Sequence, residues 1–442
     1  MAKYQKYTEY KDSAIKEIGV IPKHWDISKV KFLAKCLDGQ RIPLNGTERG
    51  ERSGTVPYWG ANKIVDYVND WIFDEELVLL GEDGAPFFDT TKDVAFAING
   101  KIWPNNHVHV LRPNRLKVGI KYLTYSLNCT DYSLYISGST RDKLNQSDMD
   151  NILIRMPSLI EQTQIANFLD HETRKIDHLI EKQQQLIELL KEKRQAVISH
   201  AVTKGLDPNV PMKDSGVAWL GEVPEHWEII KFDYVINSVG DIDHYMPNSV
   251  DSGIPYVMTG DLQDLVSKID FESCKQVAYS DYIKLSRKIK TSKDDIILAR
   301  YATIGTISYV DIDAEFLVSY SCVTIKPNIK RTSGRYLFCY LKSQAFLQAI
   351  KMHINSNTQG NVGVDSLRNV KIVVPPLSEQ NEIIHFLNEE VVKVDKLINK
   401  AESAISLMQE RRTALISAAV TGKIDVRNWQ APTIGAHTEL SA

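Results

Sequence analysis

The chain is written twice. Near its start it reads Gly19-Val20-Ile21-Pro22-Lys23-His24-Trp25-Asp26-Ile27, and 202 residues later Gly221-Glu222-Val223-Pro224-Glu225-His226-Trp227-Glu228-Ile229. A second set repeats at an offset of 218. Glu161-Gln162, Ile165, Phe168-Leu169, Asp177, Ile180 and Ile198-Ser199-His200-Ala201-Val202-Thr203 are answered by Glu379-Gln380, Ile383, Phe386-Leu387, Asp395, Ile398 and Ile416-Ser417-Ala418-Ala419-Val420-Thr421. A unit of about 200 residues is domain-sized and too long for a solenoid or propeller repeat. The sequence therefore describes a tandem duplication of a globular part and a helical part. A duplicated protein suits a target with two halves.

The helical parts follow from spacing. Alternating steps of four and three pick out Ile165, Leu169, Glu172, Ile176, Leu179, Gln183, Leu186, Leu190, Lys193 and Val197 in the first. In the second they pick out Ile383, Leu387, Glu390, Val394, Leu397, Ala401, Ala404, Met408, Arg411 and Leu415. That is heptad a/d spacing. A flanking stripe (Ile180, Ile187; Ile398, Ile405) widens each apolar face. Pro157 and Pro375-Pro376 mark the starts, Ser158 and Ser378 are candidate N-caps, and Gly205 and Gly422 mark the ends. About 40 helical residues span on the order of 60 Å, too long to bury in one small domain. Each helix needs a partner, and the repeat supplies one. The alternative is an inter-domain linker helix without a pairing role.

The globular parts, residues 16–157 and 215–375, share a worn frame. Pro57-Tyr58 matches Pro255-Tyr256, Leu111-Arg112-Pro113 matches Ile325-Lys326-Pro327, and Tyr122-Leu123 matches Tyr336-Leu337. Strand-like runs at 77–80, 94–98, 296–298 and 316–318 alternate with turn residues, which indicates a mixed α+β domain with a strand-rich centre. The offset between copies wanders from 198 to 218, so loops changed while the frame stayed.

Composition narrows the function. The chain is 43% hydrophobic and 25% charged, as soluble globular proteins are, and no apolar run approaches the roughly 20 residues of a membrane span. Its first residues hold no apolar stretch of the kind a signal peptide needs. The five scattered cysteines (Cys36, Cys129, Cys274, Cys322, Cys339) form no CxxC pair. A cytoplasmic protein without zinc or a disulfide framework is expected. A net charge of −3 and a pI near 6.4 speak against an autonomous nucleic-acid binder. A chain of this charge that reads DNA must gather its basic residues on one face or borrow backbone contacts from a partner.

Catalytic motifs are missing. There is no P-loop, no GxGxxG after a strand, and no Asn/Asp-Pro-Pro-aromatic tetrapeptide of an amino-methyltransferase. Glu82-Asp83 could form a metal carboxylate pair, but Asp83-Gly84 reads as a hairpin turn, and the second copy has Arg300-Tyr301 there. His107 and His109 share a strand, but Ser321 and Val323 replace them in the second copy. His24-Trp25 and His226-Trp227, beside Pro, read as packing anchors.

Taken in order, these motifs resemble the specificity subunit of type I restriction–modification systems over nearly the whole length. The resemblance rests on the Gly-x-x-Pro-x-His-Trp opening of each half and on Pro57-Tyr58-Trp59-Gly60-Ala61-Asn62 leading into Leu80-Gly81-Glu82-Asp83-Gly84-Ala85. It continues through Asn105-Asn106-His107-Val108-His109-Val110 and Ala299-Arg300-Tyr301-Ala302-Thr303-Ile304-Gly305. Each half closes with Pro-x-x-x-Glu-Gln opening a helix that ends Ile-Ser-x-Ala-Val-Thr. The resemblance implies an α+β fold: two globular mixed α/β target recognition domains joined by two long antiparallel coiled-coil helices, as a pseudo-two-fold internal repeat. The expected division is an N-terminal tail (1–15), recognition domain (16–157), central helix (158–203), linker (204–214), second recognition domain (215–375), distal helix (376–421) and C-terminal tail (422–442).

Each recognition domain would read one half of a split, asymmetric double-stranded DNA site. The helices would set the spacer and dock two modification subunits. The resemblance places catalysis in partners: modification subunits that use S-adenosylmethionine, and restriction/translocase subunits that use ATP and Mg²⁺. No metal, cofactor or membrane is expected for this chain. Base-edge contacts come from polar side chains on loops. The candidates are Asn62, Lys63, Asn105, Asn106, Arg141 and Lys143 in the first domain, and Thr259, Arg300, Tyr301, Ser319, Gln359 and Asn361 in the second. Gly138-Ser139-Thr140-Arg141 and Ser356-Asn357-Thr358-Gln359 hold the same place in the two copies. Helix-packing and partner-docking candidates are Ile165, Phe168, Leu169, Ile176, Ile180, Ile187, Ile383, Phe386, Leu387, Val394, Ile398 and Ile405. The rival readings are an enzyme with its own active site and a free-standing DNA-binding regulator.

Overall fold

The computed structural model describes residues 4–136, 142–355 and 360–431, with Ile354 and Asn355 by backbone alone. The chain forms two compact units, Met1–Gln184 with Glu402–Ala442, and Gln185–Ala401. Each unit thus takes one globular part and pieces of both long helices.

In the first unit the strand Leu77–Gly81 is the organising element. Its four apolar residues are fully buried and alternate between two cores. Val78 and Leu80 join a cluster with Ile165, Leu169 and Leu415 of the helices, while Leu77 and Leu79 join Phe73 and Ile102. A strand covered on both faces reads as a continuous hydrophobic run. It lies within an antiparallel sheet of order Ala34–Cys36, Val108–Pro113, Leu77–Gly81, Ala95–Ile98. A second sheet runs in the order Ile64–Val68, Ser53–Trp59, Lys101–Pro104, Phe73–Asp74.

The second unit repeats this plan internally. Its sheet has the order Ile236–Gly240, Cys322–Pro327, Ile296–Ala299, Ile307–Tyr309. Ile296 and Leu298 face the helix-side core, and Ile297 and Ala299 face the other. In both units the second sheet contains one parallel pair, Tyr58 with Trp103 and Tyr256 with Leu317.

The repeated His-Trp pairs are anchors. Trp25 and Trp227 are buried, and their indole N–H groups donate to Glu161 (3.1 Å) and Glu379 (2.8 Å). His24 and His226 place Nε2 at 2.9 and 2.7 Å from the same carboxylates. The neighbouring glutamines act alike. Gln162 accepts from the Gly119 N–H and donates to the Lys117 and Pro157 carbonyls; Gln380 does so with Ser333, Arg331 and Pro375. Buried polar side chains are kept because they are bonded. The Glu-Gln in the first turn of each helix therefore ties that helix to its globular part. At the far end of the second helix, Gly422 has φ +75°, and an added Cβ would lie 2.5 Å from Pro22. Only glycine lets the chain close onto the first anchor.

The helices run Leu159–Lys204 and Leu377–Val420. Within the first unit their pieces are antiparallel: Asp177 pairs with Arg412 (2.9 Å), while Gln164 reaches the Trp429 carbonyl. Within the second, Arg194 pairs with Asp395 (3.1 Å), and further along Ile198, Ile384 and Leu387 join one apolar core. Each arginine also reaches a carboxylate of its globular part, Asp93 (3.3 Å) or Asp264 (3.1 Å).

Three expectations need correction. Leu179, Leu186 and Leu397, read as seam positions, are 52%, 42% and 50% exposed, whereas Ile187 of the flanking stripe is buried and Ile180, Ile398 and Ile405 are half-buried. A straight helix drifts from a strict 3.5-residue period, and the step from Leu169 to buried Thr173 moves the inward face along by one residue. Phe168 is not open to a partner: Tyr4 and Trp429 cover it edge-on, although its repeat Phe386 is 37% exposed. Ser158 caps the first helix by accepting from the Glu161 N–H (3.3 Å), but Ser378 lies inside the second, where Pro376 holds the equivalent place. The described parts of the two segments named as tails pack against the first unit. Residues 4–15 bury Tyr7 and pair Tyr10–Asp12 with Val20–Pro22, while Ile424 and Val426 are buried and the Asp425 N–H donates to Gln5. Among the described residues no helix is long and apolar enough to cross a membrane.

Candidate nucleic-acid interface

Where the central strand ends, each unit carries a polar brace. In the first unit a Cβ on Gly81 would lie 2.3 Å from Ala85 and 2.9 Å from the Ala61 carbonyl, so two loops close on the strand end. Asp83-Gly84 is not a tight hairpin turn, because the antiparallel neighbour begins only at Ala95. Instead Asp83 bridges Lys143, and the Gly84 N–H donates to the Asp142 carbonyl (3.2 Å). A distant segment takes the backbone groups that a hairpin would have used.

Glu82 follows. Its N–H donates to the His107 carbonyl (2.9 Å) and its carbonyl accepts from the Leu144 N–H (2.8 Å). Its carboxylate meets Arg41 (2.7 Å) and Lys143 (3.4 Å). Beneath it, Asp38 accepts from the Val110 N–H (2.8 Å) and lies 2.5 Å from Nδ1 of buried His109. Nε2 of that ring faces the Leu144 carbonyl at 2.8 Å, an acceptor, so Nε2 carries a hydrogen. Burial opposes ionisation of Asp38, but His109, the Val110 N–H and Arg41 together outweigh it and hold its pKa below the usual value. Cys36, Asp38 and His109 offer ligand atoms within 4.8 Å of one another. Both imidazole nitrogens are already engaged, and burial pushes the Cys36 thiol up to about 12, so Asp38 and His109 act as a hydrogen-bonded brace beside Cys36.

The second unit rebuilds this brace with other residues. Cys36 pairs with Leu111, and Val239 pairs with Ile325, the repeat of Leu111. Counting onward, Asp241 stands for Asp38 and His244 for Arg41, while Arg300 stands for Glu82. The backbone contacts recur: the Arg300 N–H donates to Ser321 (2.9 Å), and its carbonyl accepts from Val362 (3.3 Å). Asp241 meets Arg300 (3.0 Å), Lys288 (3.1 Å) and His244 (3.2 Å). Burial opposes its ionisation as well, but the Lys288 and Arg300 charges and the hydrogen bond with His244 together outweigh it and lower its pKa.

The predicted residues divide into frame and rim. Asn105 and Ser319 form the same turn: each N–H donates over 2.9 Å to Trp59 or Val257, and each side-chain oxygen accepts from the N–H two residues on. Both are buried and occupied. Arg300 is buried too, held by Asp241, with its guanidinium 5.3 Å from the Tyr301 ring centre. Lys63, Asn106 and Lys143 are exposed, and Asn62, Thr259, Tyr301 and Asn361 are half-buried. Arg141 and Gln359, with segments 138–141 and 356–359, lie outside the described residues.

Sequence reasoning missed Asp38, Arg41, Asp241, His244 and Lys288. The available signal was an aspartate followed three residues later by a basic residue, just after a strand shared by both copies. It also missed cations lying over aromatic rings: Arg49 on Tyr58 (5.2 Å), Arg52 on Trp103 (5.5 Å) and Lys101 on Trp71 (3.4 Å) in the first unit, and Lys284 on Tyr245 (5.3 Å) in the second. In such pairs the ring face attracts and positions the cation.

A family model described as the type I restriction modification DNA specificity domain matches the chain twice, at residues 22–189 and 224–405. The chain belongs to this family. The MjaVIII type I restriction enzyme specificity subunit of Methanocaldococcus jannaschii is 24% identical over 95% of this chain and 98% of its own. The EcoDI specificity subunit of Escherichia coli is 20% identical, covering 93% and 91%. A chain from a solved type I R-M system structure aligns with a TM-score of 0.64 at 14% identity, covering 90% of this chain and 98% of its own, which shows a shared fold. This specificity-family chain therefore carries two DNA specificity domains, one in each half.

Proposed function

We propose that this chain reads a bipartite, asymmetric double-stranded DNA site, one half with each recognition domain, and leaves catalysis to partner subunits. One observation carries the reading. The strand-end brace keeps its backbone hydrogen bonds in both units while its central side chain changes from Glu82 to Arg300. A frame held constant around a reversed charge suits two readers of different sequences. Base-edge contacts fall to the rim residues Asn62, Lys63, Asn106, Lys143, Thr259, Tyr301 and Asn361, and to Arg141 and Gln359. Asn105, Ser319 and Arg300 hold those loops in place. The cations over aromatic rings contact phosphates.

The recognition domains are 16–157 and 215–375, and the helices of 158–203 and 376–421 set the spacer. Two modification subunits, and through them the restriction/translocase subunits, dock on the apolar residues that the helices leave exposed, such as Leu186, Leu189 and Leu397. The assembly acts in the cytoplasm. The test replaces residues 16–157 with the matching domain of a family relative and sequences the methylated sites of the host. One half-site should change and the other persist; simultaneous change of both overturns the reading.

A further inference from the structure

The second unit has a pocket of about 230 Å³ between its globular part and the second long helix, walled by Phe338, Cys339, Leu387, Asn388 and Val391. The first unit is filled at the equivalent place. The repeat offsets put Tyr125 where Cys339 stands, Asp170 where Asn388 stands, Thr173 for Val391 and Lys121 for Arg335. The Tyr125 hydroxyl donates to Asp170 (2.9 Å) and lies 3.4 Å from the Thr173 hydroxyl, and Lys121 pairs with the same carboxylate. A phenol ring thus plugs one copy. In the other, cysteine truncates the ring, and valine and asparagine remove the groups that held its hydroxyl. Burial pushes the Cys339 thiol up to about 11, so the lining there is neutral.

The rim is positively charged. Arg194 and Lys342 are already paired, with Asp264 and Asp395. Arg335 and Lys268 also line the pocket and enter no ion pair among the described residues; Arg335 lies 4.7 Å from the Tyr309 ring centre. Apolar cavities of roughly 150 Å³ take up a benzene-sized ring. We propose that this pocket binds a small aromatic acid, its ring in the volume that Tyr125 fills in the first unit and its carboxylate against Arg335 and Lys268. This goes beyond DNA recognition and does not depend on it.

The probe is 4-hydroxybenzoate, with phenol as the neutral control, titrated into the full-length chain and followed by ligand-observed NMR. Wild type should bind the acid with a Kd on the order of 1 mM or tighter. Cys339→Tyr should supply the missing plug, weaken binding at least tenfold and raise the unfolding temperature. If that variant does not fold, Cys339→Tyr combined with Asn388→Asp and Val391→Thr copies the first unit's full set of partners. Arg335→Ala should weaken the acid about tenfold while leaving phenol unchanged. Absence of binding to wild type, binding undiminished in the plugged variant, or an acid affinity indifferent to Arg335→Ala would each overturn the assignment.

Discussion

Glu82 and Arg300 hold one position with opposite charge, and each is answered by residues that sequence reading passed over. Asp241 is the sole carboxylate paired with Arg300 among the described residues, and both are largely buried. Asp241→Ala should therefore cost about 3 kcal/mol, because it strands a buried guanidinium. A lowered urea midpoint in the second unit would show it. Lys143→Ala, on the rim, should change stability by less than about 0.5 kcal/mol and relax discrimination at one position of the first half-site by about 1–3 kcal/mol. Methylation rates on single-base variants measure that. Acid should act on the braces before the cores. Asp38 and Asp241 both ionise below the ordinary value of 3.8, so their contribution is present above it and is lost as pH falls through their lowered values. Asp38→Asn should flatten that part of the stability profile. The strand bearing Val108 and His109 was legible in sequence; the fate of its polar residues was not. Asn105 looks like a base reader in sequence, and only the fold shows its carbonyl oxygen committed to the His107 N–H.

The long helices were legible because their period is strong, uninterrupted by Pro, and written twice. Which stripe turns inward was not, since Leu179 and Ile180, or Leu186 and Ile187, offer two adjacent apolar choices and only drift decides between them. That decision separates two classes of substitution. Ile187 is 7% exposed, and Ile187→Ala should cost about 2–4 kcal/mol. Leu189 is 62% exposed, so combined Leu186→Gln, Leu189→Gln and Leu397→Gln should leave the thermal midpoint nearly unchanged. The same triple variant should weaken capture of a modification subunit at least tenfold in a titration followed by sedimentation. Unaltered assembly would place the docking surface elsewhere.

At the scale of the molecule, the proposed reading makes the spacer a mechanical quantity. The two helix–helix ion pairs, Asp177 with Arg412 and Arg194 with Asp395, are separated by the same number of residues on both helices. Four residues inserted after Gln184 and four after Ala401 lengthen both helices equally and fall at the boundaries of the compact units. Neither unit loses an internal contact. Four residues add about 6 Å along a helix and turn its face by only about 40° at 3.6 residues per turn, so the apolar stripe stays nearly in line. One base pair occupies about 3.4 Å of duplex. The unspecified gap between half-sites should therefore grow by one or two base pairs while both half-sites keep their sequences, as read by methylation mapping in cells. A single insertion, in the first helix alone, breaks the register of the pair and should lower assembly instead of resetting the gap. If the doubly extended chain assembles normally and methylates sites with the original gap, the helices do not set the spacing.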